Sequence, residues 1–253
     1  MHRIISWIFT IPYIPLFFGI LCAFHPLQCL AICFGYRAHK LVLDLMNATL
    51  ILNFKTVGTR FHIHRECDLK PNTSYIFVSN HQSMYDIPFL IWVLRANHPK
   101  FIAKRELGRW IPSISFALRH MGSVLIDRGD RQQAVQAIRE FGAQCATRHF
   151  SAVIFPEGTR AREGAMKQFK GAGLLTLMQV MPDAEIVPIV IDGSWELVRY
   201  NLLPVPFGRT VSLTILEPLF RSDFEPKQLV SKCEQVISER LTAQRLDSVK
   251  QEH

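Results

Sequence analysis

The pattern of apolar and polar positions divides the chain into an apolar N-terminal segment and a longer, mixed remainder. No Lys, Arg, Asp or Glu occurs between Ile4 and Tyr36, where Phe, Ile and Leu are frequent. As one straight helix, this stretch would measure about 50 Å, which exceeds the roughly 30 Å hydrocarbon layer of a bilayer. Pro12, Pro15 and Pro26 also argue against a straight helix. We therefore expect either one kinked span followed by an interfacial piece, or a hairpin held in one leaflet.

The segment from Arg37 to Phe54 is predicted to be an amphipathic helix. Its polar stripe consists of Arg37, Lys40, Asp44 and Asn47, and its apolar side of Leu41, Leu45, Ala48 and Leu52. Such a helix either packs in the core of a domain or lies on a membrane, and the pattern leaves both open. Basic residues at 37, 39 and 40 favour a cytoplasmic domain if the preceding segment spans a membrane. A cleaved signal peptide fits less well, because only Arg3 precedes the apolar run and no small-x-small site follows it.

After residue 56, short β-branched and aromatic runs alternate with helical patterns. Tyr75–Val78 and Ala152–Phe155 have the composition of buried strands, and Arg209–Leu216 alternates like a strand with one solvated face. Helices are predicted near residues 130–145, 170–180 and 229–241. This alternation indicates an α/β sandwich. We therefore divide the chain into a membrane-associated helical segment, residues 1–56, and a globular domain, residues 57–253.

A first polar island, residues 80–86, directly follows the strand that ends near residue 78. It contains His81, which titrates near neutral pH, and Asp86, a carboxylate that can orient and stabilise the imidazole ring. Positions five apart lie about 140° around a helix, so both cannot share one helical face. We expect His81 in a strand-to-helix turn and Asp86 in the first helical turns, folding back toward it. The alternative is a helix start capped by Asn80 or Ser83 beside a surface histidine.

A second polar island, residues 155–160, follows the other buried strand. Gly158 lets backbone N–H groups approach a ligand, and Arg160 can bind two phosphate oxygens at once. Two further strands between the islands each end in a cation, Lys104 and Arg128. Reactive groups in open α/β sheets gather at the carboxyl ends of strands. We therefore expect one site with a proton-handling half and an anion-handling half.

In order and content, these segments resemble the glycerolipid acyltransferase family, most closely the 1-acyl-sn-glycerol-3-phosphate (lysophosphatidic acid) acyltransferases. The four matching motifs are N-H-x4-D at Asn80 to Asp86, Gly122 to Arg128, F-P-E-G-T-R at Phe155 to Arg160, and Val187 to Ile191. The resemblance covers residues 57–216. It implies a mixed sheet flanked by helices and makes residues 57–253 an acyltransferase catalytic domain. One departure is Asp192, where the family often has a second proline, which leaves the local loop open.

The resemblance implies a reaction in which an acyl chain moves from a thioester to the sn-2 hydroxyl of lysophosphatidic acid, giving phosphatidic acid for phospholipid biosynthesis. His81 would act as the general base and Asp86 would hold its ring, as in a Ser-His-Asp triad whose serine is replaced by the substrate alcohol. The chain has no G-x-S-x-G elbow, which favours direct transfer over an acyl-enzyme, although Ser83 is near enough to test.

The resemblance also implies a phosphate clamp built on Arg160. The other predicted members of this clamp are Gly158 and Thr159, with help from Lys104 and Arg128. Glu157 would bond the glycerol or brace these cations.

The net charge of +8 is unevenly distributed along the chain. Residues 95–170 contain 14 Lys/Arg and 6 Asp/Glu, so this window holds all of the excess positive charge. A nucleic-acid surface is disfavoured, because no known nucleic-acid-binding motif occurs and the apolar content is high. A cationic pocket for phosphorylated substrates, on a face that meets anionic lipid headgroups, fits better. The expected partners are membrane lipids, lysophosphatidic acid, and acyl-CoA or acyl carrier protein (ACP).

No cysteine pair has the C-x-x-C spacing of a metal or redox motif. We interpret the six cysteines as small apolar fillers in a reducing compartment: Cys22, Cys29, Cys33, Cys67, Cys145 and Cys233. His62 and His64 lie near Cys67, but no further ligand completes a tetrahedral metal set. We therefore expect no metal and no cofactor apart from the acyl-CoA or acyl-ACP cosubstrate.

Alternative functions remain at this stage. Within the enzyme class, the acceptor could be glycerol-3-phosphate or another lysophospholipid. Outside it, the chain could be a non-catalytic membrane module that binds anionic lipids through the basic window. A thioester hydrolase is a third possibility. Acyl-chain length and the choice between acyl-CoA and acyl-ACP are not encoded in any motif.

Overall fold

In a computed structural model of the protein, residues 2–127, 129–161 and 163–251 are described. Over these residues, seven strands form one sheet in the order β1-β7-β6-β2-β5-β3-β4. The strands are β1 Arg60–Arg65, β2 Tyr75–Ser79, β3 Pro99–Lys104, β4 Val124–Ile126, β5 Ser151–Ile154, β6 Glu185–Asp192 and β7 Thr210–Ile215. Strands β2 to β6 run parallel, β7 is antiparallel to β6, and β1 is parallel to β7. The sheet is therefore mixed.

Helices cover both faces of the sheet. They are α1 His2–Ala31, α2 Tyr36–Asn53, α3 Asp86–Val93, α4 Ile114–His120, α5 Arg131–Arg148, α6 Gly171–Val180 and α7 Pro226–Gln251. Short 3-10 helices span Ile32–Phe34, Phe54–Val57, Arg95–Asn97, Arg105–Gly108, Ser194–Val198 and Arg221–Asp223.

The alternation of side chains in β2 shows how the layers are stacked. Ile76 and Val78 belong to the core shared with α5, α6 and α7, whereas Tyr75 and Phe77 belong to the core shared with α3 and Phe54–Val57. Successive strand residues point to opposite faces, so a strand buried at every position needs a layer on each side. The predicted fold class, a mixed α/β sheet flanked by helices, is confirmed.

The parallel strands give the sheet two chemically different edges. The carboxyl ends of β2 to β6 meet at one edge, which we call the carboxyl edge, and their beginnings lie at the opposite, amino edge. The loops that leave the adjacent strands β2 and β5 contain the two polar islands. Both islands therefore lie at the carboxyl edge.

The apolar N-terminal stretch forms the single helix α1, within which Pro12, Pro15 and Pro26 all lie. The chain turns only after it, at Gly35, whose positive φ of 89° suits glycine. A single helix agrees with the expected single span and not with the alternative of a hairpin. Each proline removes a helical N–H donor, which weakens the helix locally. Packing of Tyr13 and Leu21, which are 2% and 1% exposed, against the rest of the protein offsets this local cost. By length and composition, His2–Phe34 is long and apolar enough to cross a membrane.

Helix α2 is amphipathic in a way the pattern left open. One face packs in a cluster with α1 and α4 through Leu43, Met46 and Leu50. The predicted apolar side points outward instead, with Leu41 and Leu52 60% and 57% exposed. Helix α2 therefore packs against the protein through one face and exposes apolar side chains on another. Because residues of α1 and Phe54–Val57 share a core with the sheet, the boundary at residue 57 stays a prediction.

All six cysteines are free thiols, and they differ in exposure, with Cys67 partly buried. Cys145 and Cys233 are buried in the core, as expected for apolar fillers. The same expectation was wrong for Cys22, Cys29 and Cys33, which are exposed because α1 turns its apolar surface outward.

Candidate active site

His81 lies in the loop between β2 and α3, and Asp86 is the first residue of α3. The His81 Nδ1 atom lies 2.8 Å from Asp86 Oδ2. The imidazole is 12% exposed and the carboxylate is fully buried. A hydrogen bond from Nδ1–H to the carboxylate leaves Nε2 as the proton acceptor of the neutral ring. Nε2 itself makes no hydrogen bond with any residue that the structure describes. The sequence-based geometry, a turn histidine met by a helical aspartate, is confirmed.

The Asp86 carboxylate is held by several donors. Its Oδ2 accepts hydrogen bonds from the main-chain N–H of Gln82 at 2.8 Å and of Ser83 at 3.0 Å. Its Oδ1 accepts from Ser194 Oγ at 2.5 Å and from Ser83 Oγ at 3.3 Å. These donors fix the carboxylate, and through it the plane of the His81 ring. Ser83 is therefore a support for Asp86.

Glu157 ties the second island to the first. Its Oε1 accepts from the His81 N–H at 2.7 Å and its Oε2 from the Lys167 N–H at 2.9 Å. The side chain is 2% exposed. Burial raises the pKa of Glu157, and the two N–H donors oppose that shift. Both oxygens thus bridge main-chain segments, and the sequence-based suggestion that Glu157 bonds glycerol or braces cations stays a prediction.

Two more contacts join the islands. The His81 ring stacks on Phe155, with ring centroids 4.1 Å apart and planes inclined by 20°. The N–H of Ala161, directly after the second island, donates to the His81 carbonyl at 2.7 Å. The main chain next to Arg160 therefore lies against the main chain of His81, as expected for two islands on adjacent parallel strands.

The anion-handling half is built around a turn at Gly158. Its φ of 69° is in the left-handed region, and its N–H donates to the Phe155 carbonyl at 3.0 Å. Thr159 is exposed and Arg160 is partly buried. The Arg160 guanidinium makes no hydrogen bond or ion pair with any described residue, so it is available to a ligand. Lys167 is close, because its Nζ donates to the Arg160 carbonyl at 3.1 Å.

The sequence analysis also predicted two cations, Lys104 and Arg128, at the ends of other strands, and the structure describes only the first. Lys104 ends β3 at the carboxyl edge, where it is 51% exposed and lies 3.0 Å from Glu106. Strand β3 neighbours β5, so Lys104 is on the same edge as Arg160 but one strand further from His81. Arg128 lies outside the described residues.

Comparison with known proteins identifies the family. Residues 60–192, just over half of the 253 residues, match the model of a family described as Acyltransferase. The chain belongs to the acyltransferase family. The family membership predicted from the four motifs is confirmed.

Three proteins illustrate what this acyltransferase is similar to. The 1-acyl-sn-glycerol-3-phosphate acyltransferase alpha of Homo sapiens is 35% identical over 146 residues, covering 57% of this chain and 50% of the human protein. The 1-acyl-sn-glycerol-3-phosphate acyltransferase of Escherichia coli (strain K12) is 25% identical over 243 residues, 93% of each chain. The crystal structure of the 1-acyl-sn-glycerophosphate (LPA) acyltransferase PlsC from Thermotoga maritima matches with a TM-score of 0.76 at 21% identity. It covers 97% of this chain and 98% of that chain, and it supports the fold.

The extent of these matches differs among relatives. The chain spans about half to two thirds of the length of the plant and mammalian relatives it matches. A match over part of a relative's length does not by itself carry that relative's activity, substrates and partners over to this chain.

Several contacts that position the acyltransferase site could not be predicted from the sequence. The Asn80 side chain bonds both the N–H and the carbonyl of Ile191, at 2.8 and 2.7 Å, and so joins the end of β2 to the end of β6. Asp192 accepts from Gln82 Nε2 at 3.2 Å and from the Arg245 guanidinium at 2.6 Å. The one available signal was the departure from the family pattern at Asp192. In this chain, that carboxylate connects the first motif to α7.

The metal-like cluster of the sequence does not form a site. His62 and His64 lie exposed on β1, as predicted for a strand. Over the described residues, no group of three or more His, Cys, Asp or Glu is placed to bind a metal ion.

Proposed function

We propose that the protein transfers an acyl chain from acyl-CoA or acyl-ACP to the sn-2 hydroxyl of 1-acyl-sn-glycerol-3-phosphate and so makes phosphatidic acid. The observation on which this rests is the His81–Asp86 pair, with its outer nitrogen unoccupied, joined through Glu157 and Ala161 to the F-P-E-G-T-R segment. The plant, mammalian and Escherichia coli relatives, which are 1-acyl-sn-glycerol-3-phosphate acyltransferases, support the same acceptor.

In the proposed mechanism, His81 Nε2 takes the proton of the acceptor hydroxyl while the hydroxyl oxygen attacks the thioester carbonyl. Asp86 holds the Nδ1–H side of the ring and stabilises the imidazolium. Collapse of the tetrahedral intermediate forms the ester and releases the thiolate, which takes the proton back from His81. General-base assistance of this kind is typically worth about 10² to 10⁴ in rate.

The proposed phosphate clamp positions the acceptor. Arg160 would bind the phosphate oxygens, with the main chain and hydroxyl of Thr159 as further donors, and Gly158 would let the main chain approach the ligand. Lys104, at the end of β3, would add positive charge, and the resemblance implies the same role for Arg128. We assign Glu157 the task of positioning His81 rather than of touching the substrate.

We further propose that the enzyme is attached to a membrane through α1 and α2, with the catalytic domain on the cytoplasmic side. These helices expose a large set of apolar side chains, which marks an interaction surface. The set includes Ile4, Ile8, Ile11, Leu16, Phe18, Leu27, Leu30, Phe34, Leu41, Leu45 and Leu52. Membrane contact would bring a lipid acceptor to the enzyme, and Arg37 and Lys40 after the apolar stretch favour the cytoplasmic orientation.

A thiol-release assay tests the proposed reaction. The purified protein, in detergent, is mixed with acyl-CoA or acyl-ACP and with lysophosphatidic acid, glycerol-3-phosphate or lysophosphatidylcholine. We expect fast thiol release only with lysophosphatidic acid, together with phosphatidic acid as product. Faster release with another acceptor would change the acceptor. Release without any acceptor would indicate a hydrolase, and no release under any condition would favour the non-catalytic lipid-binding module.

A further inference from the structure

A groove of about 660 Å³ opens at the amino edge of the sheet, away from His81. Its walls come from the first turns of α2 and from the segments that precede β2, β3 and β5. The lining residues are Tyr36, Arg37, Lys40, Leu41, Asp44, Pro71, Asn72, Arg95, Ala96, His98, Arg148, His149 and Phe150. Because β2, β3 and β5 are parallel, segments that precede these strands lie at the opposite edge from the polar islands that follow β2 and β5.

The groove has a strong excess of positive charge. Four permanent cations line it, Arg37, Lys40, Arg95 and Arg148, against the single carboxylate of Asp44, which pairs with Lys40. Arg37 and Arg148 are exposed, and their side chains make no hydrogen bond or ion pair with any residue in the described part of the chain. Guanidinium groups bind phosphate oxygens through paired N–H donors. The one carboxylate that lines the groove is already paired with Lys40, so the groove suits an anionic ligand.

The floor of the groove is a fixed aromatic cluster over a buried cation. Lys100 is 3% exposed, and its Nζ donates to Tyr36 Oη at 3.1 Å. The same ammonium lies 4.8 Å from the Tyr36 ring centre and 4.5 Å from that of Phe150. Tyr36 Oη is also 2.8 Å from His98 Nδ1, and His98 Nε2 is 3.1 Å from Asn72 Oδ1. No carboxylate among the described residues forms an ion pair with Lys100.

The surroundings of the groove point to a lipid. The turn between α1 and α2 borders its α2 wall, and Phe34 in that turn is 74% exposed. Leu41, which lines the groove, is 60% exposed and continues the apolar face of α2. Cations beside an apolar surface can bind the phosphate headgroup of a lipid while the acyl chains of that lipid stay in the bilayer. A soluble phosphate compound would gain nothing from the apolar border.

We propose that this amino-edge groove binds the phosphate headgroup of an anionic phospholipid, at a second site separate from the acyltransferase centre. Arg37 and Arg148 contact the phosphate, and Lys40 and Arg95 supply further positive charge. The proposal rests on the membrane attachment proposed above, but not on the reaction.

Native mass spectrometry of the full chain in neutral detergent tests the site, with phosphatidylglycerol as the probe. This diacyl lipid is neither the proposed acceptor nor the proposed product, so its retention does not report on the acyltransferase centre. We compare the wild type with a double variant, Arg37→Gln and Arg148→Gln. The matched control is Arg60→Gln with Lys227→Gln, which removes the same charge from exposed positions outside the groove.

We expect the groove variant to bind phosphatidylglycerol roughly 30-fold more weakly, and the control variant to bind like the wild type. Equal retention by both variants would overturn the proposal, since binding would then reflect net charge alone. Displacement of the lipid by an equal concentration of glycerol phosphate would overturn the lipid assignment in favour of a soluble phosphate ligand. Thiol release with lysophosphatidic acid in detergent is expected to be unchanged in the groove variant. If the wild type released no thiol with lysophosphatidic acid, this result would instead refute the proposed function.

Discussion

The two edges of the sheet hold their charged groups differently. At the carboxyl edge, the buried carboxylates of Asp86 and Glu157 accept hydrogen bonds from main-chain N–H groups. At the amino edge, Arg37 and Arg148 bond no other residue that the structure describes. Chemistry requires groups fixed to a fraction of an ångström, and main-chain hydrogen bonds provide that rigidity. Capture of a mobile headgroup requires accessible charge instead, and exposed arginines provide it.

The largest expected effect tests whether the carboxyl edge is the catalytic one. We expect His81→Ala to lower kcat by about 10² to 10⁴, because the variant loses Nε2, the proposed acceptor of the hydroxyl proton. Thiol release with lysophosphatidic acid measures this. The control is His64→Ala, which changes an exposed histidine on β1. Near wild-type turnover in a folded His81→Ala protein would remove His81 from the base role.

Arg160→Ala examines the anion-handling half of the same edge. We expect KM for lysophosphatidic acid to rise about tenfold to hundredfold, because the phosphate loses its paired donors. The KM for the acyl donor should change little. Lys227→Ala, an exposed cation on α7, serves as the control. An unchanged KM for the lysophospholipid would contradict the clamp.

Glu157→Gln tests whether bracing by the main chain matters at this edge. The Gln amide keeps one acceptor oxygen but turns an NH₂ group toward an N–H, so one of the two buried hydrogen bonds is lost. We expect a loss of about 1–3 kcal/mol in unfolding free energy. Turnover should fall about tenfold, with KM for both substrates nearly unchanged, because the His81 loop shifts. Glu239→Gln on α7 is the matched control. If KM for the lysophospholipid rose instead, Glu157 would contact the substrate after all.

Lys100→Met sharpens the contrast from the amino edge, and its effect on turnover should be nil. Burial lowers the pKa of Lys100 to about 7 from its ordinary value of 10.5, with repulsion from Lys40 and Arg148 adding to the shift. Between these two values the unfolded chain binds one more proton than the folded protein, so stability rises with pH across this window. Below pH 7 the buried charge lowers stability in full.

We therefore expect Lys100→Met to raise the unfolding free energy at pH 7 by about 2 kcal/mol or more, since each pKa unit corresponds to about 1.4 kcal/mol. The gain should shrink toward pH 10.5. Denaturant unfolding in detergent at several pH values, followed by tryptophan fluorescence, measures both. A gain in unfolding free energy that does not depend on pH would show that the pKa of Lys100 is not lowered in the folded protein.

The local features of the site were predictable from the sequence. The turn position of His81 and the return of Asp86 follow from five-residue spacing at a strand-to-helix junction, which involves only neighbouring residues. The support from Ser194, 108 positions away from Asp86, was not predictable. It depends on β6 lying beside β2, and hydrophobic periodicity does not specify strand order.

The basic window shows the same limit. Residues 95–170 contain all of the excess positive charge, and the sequence analysis assigned this charge to one phosphate pocket. The fold divides it: Lys104 and Arg160 follow strands and lie at the carboxyl edge, whereas Arg95 and Arg148 precede strands and lie at the amino edge. Whether a residue precedes or follows a parallel strand therefore decides which edge it reaches. Arg37, from outside the window, joins the second group.

The hydrogen bonds between α1 and the segment before β7 have a consequence for biosynthesis. Thr10 Oγ1 accepts a hydrogen bond from the Val205 N–H at 3.0 Å, and Ser6 Oγ accepts one from Phe207 N–H at 3.1 Å. Thr10 is fully buried, yet its partner is 195 positions later in the chain. Helix α1 therefore leaves the ribosome long before residues 205 and 207, with which it completes these contacts. During translation the apolar surface of α1 cannot yet pack against this segment, and early contact with the bilayer would remove that surface from water.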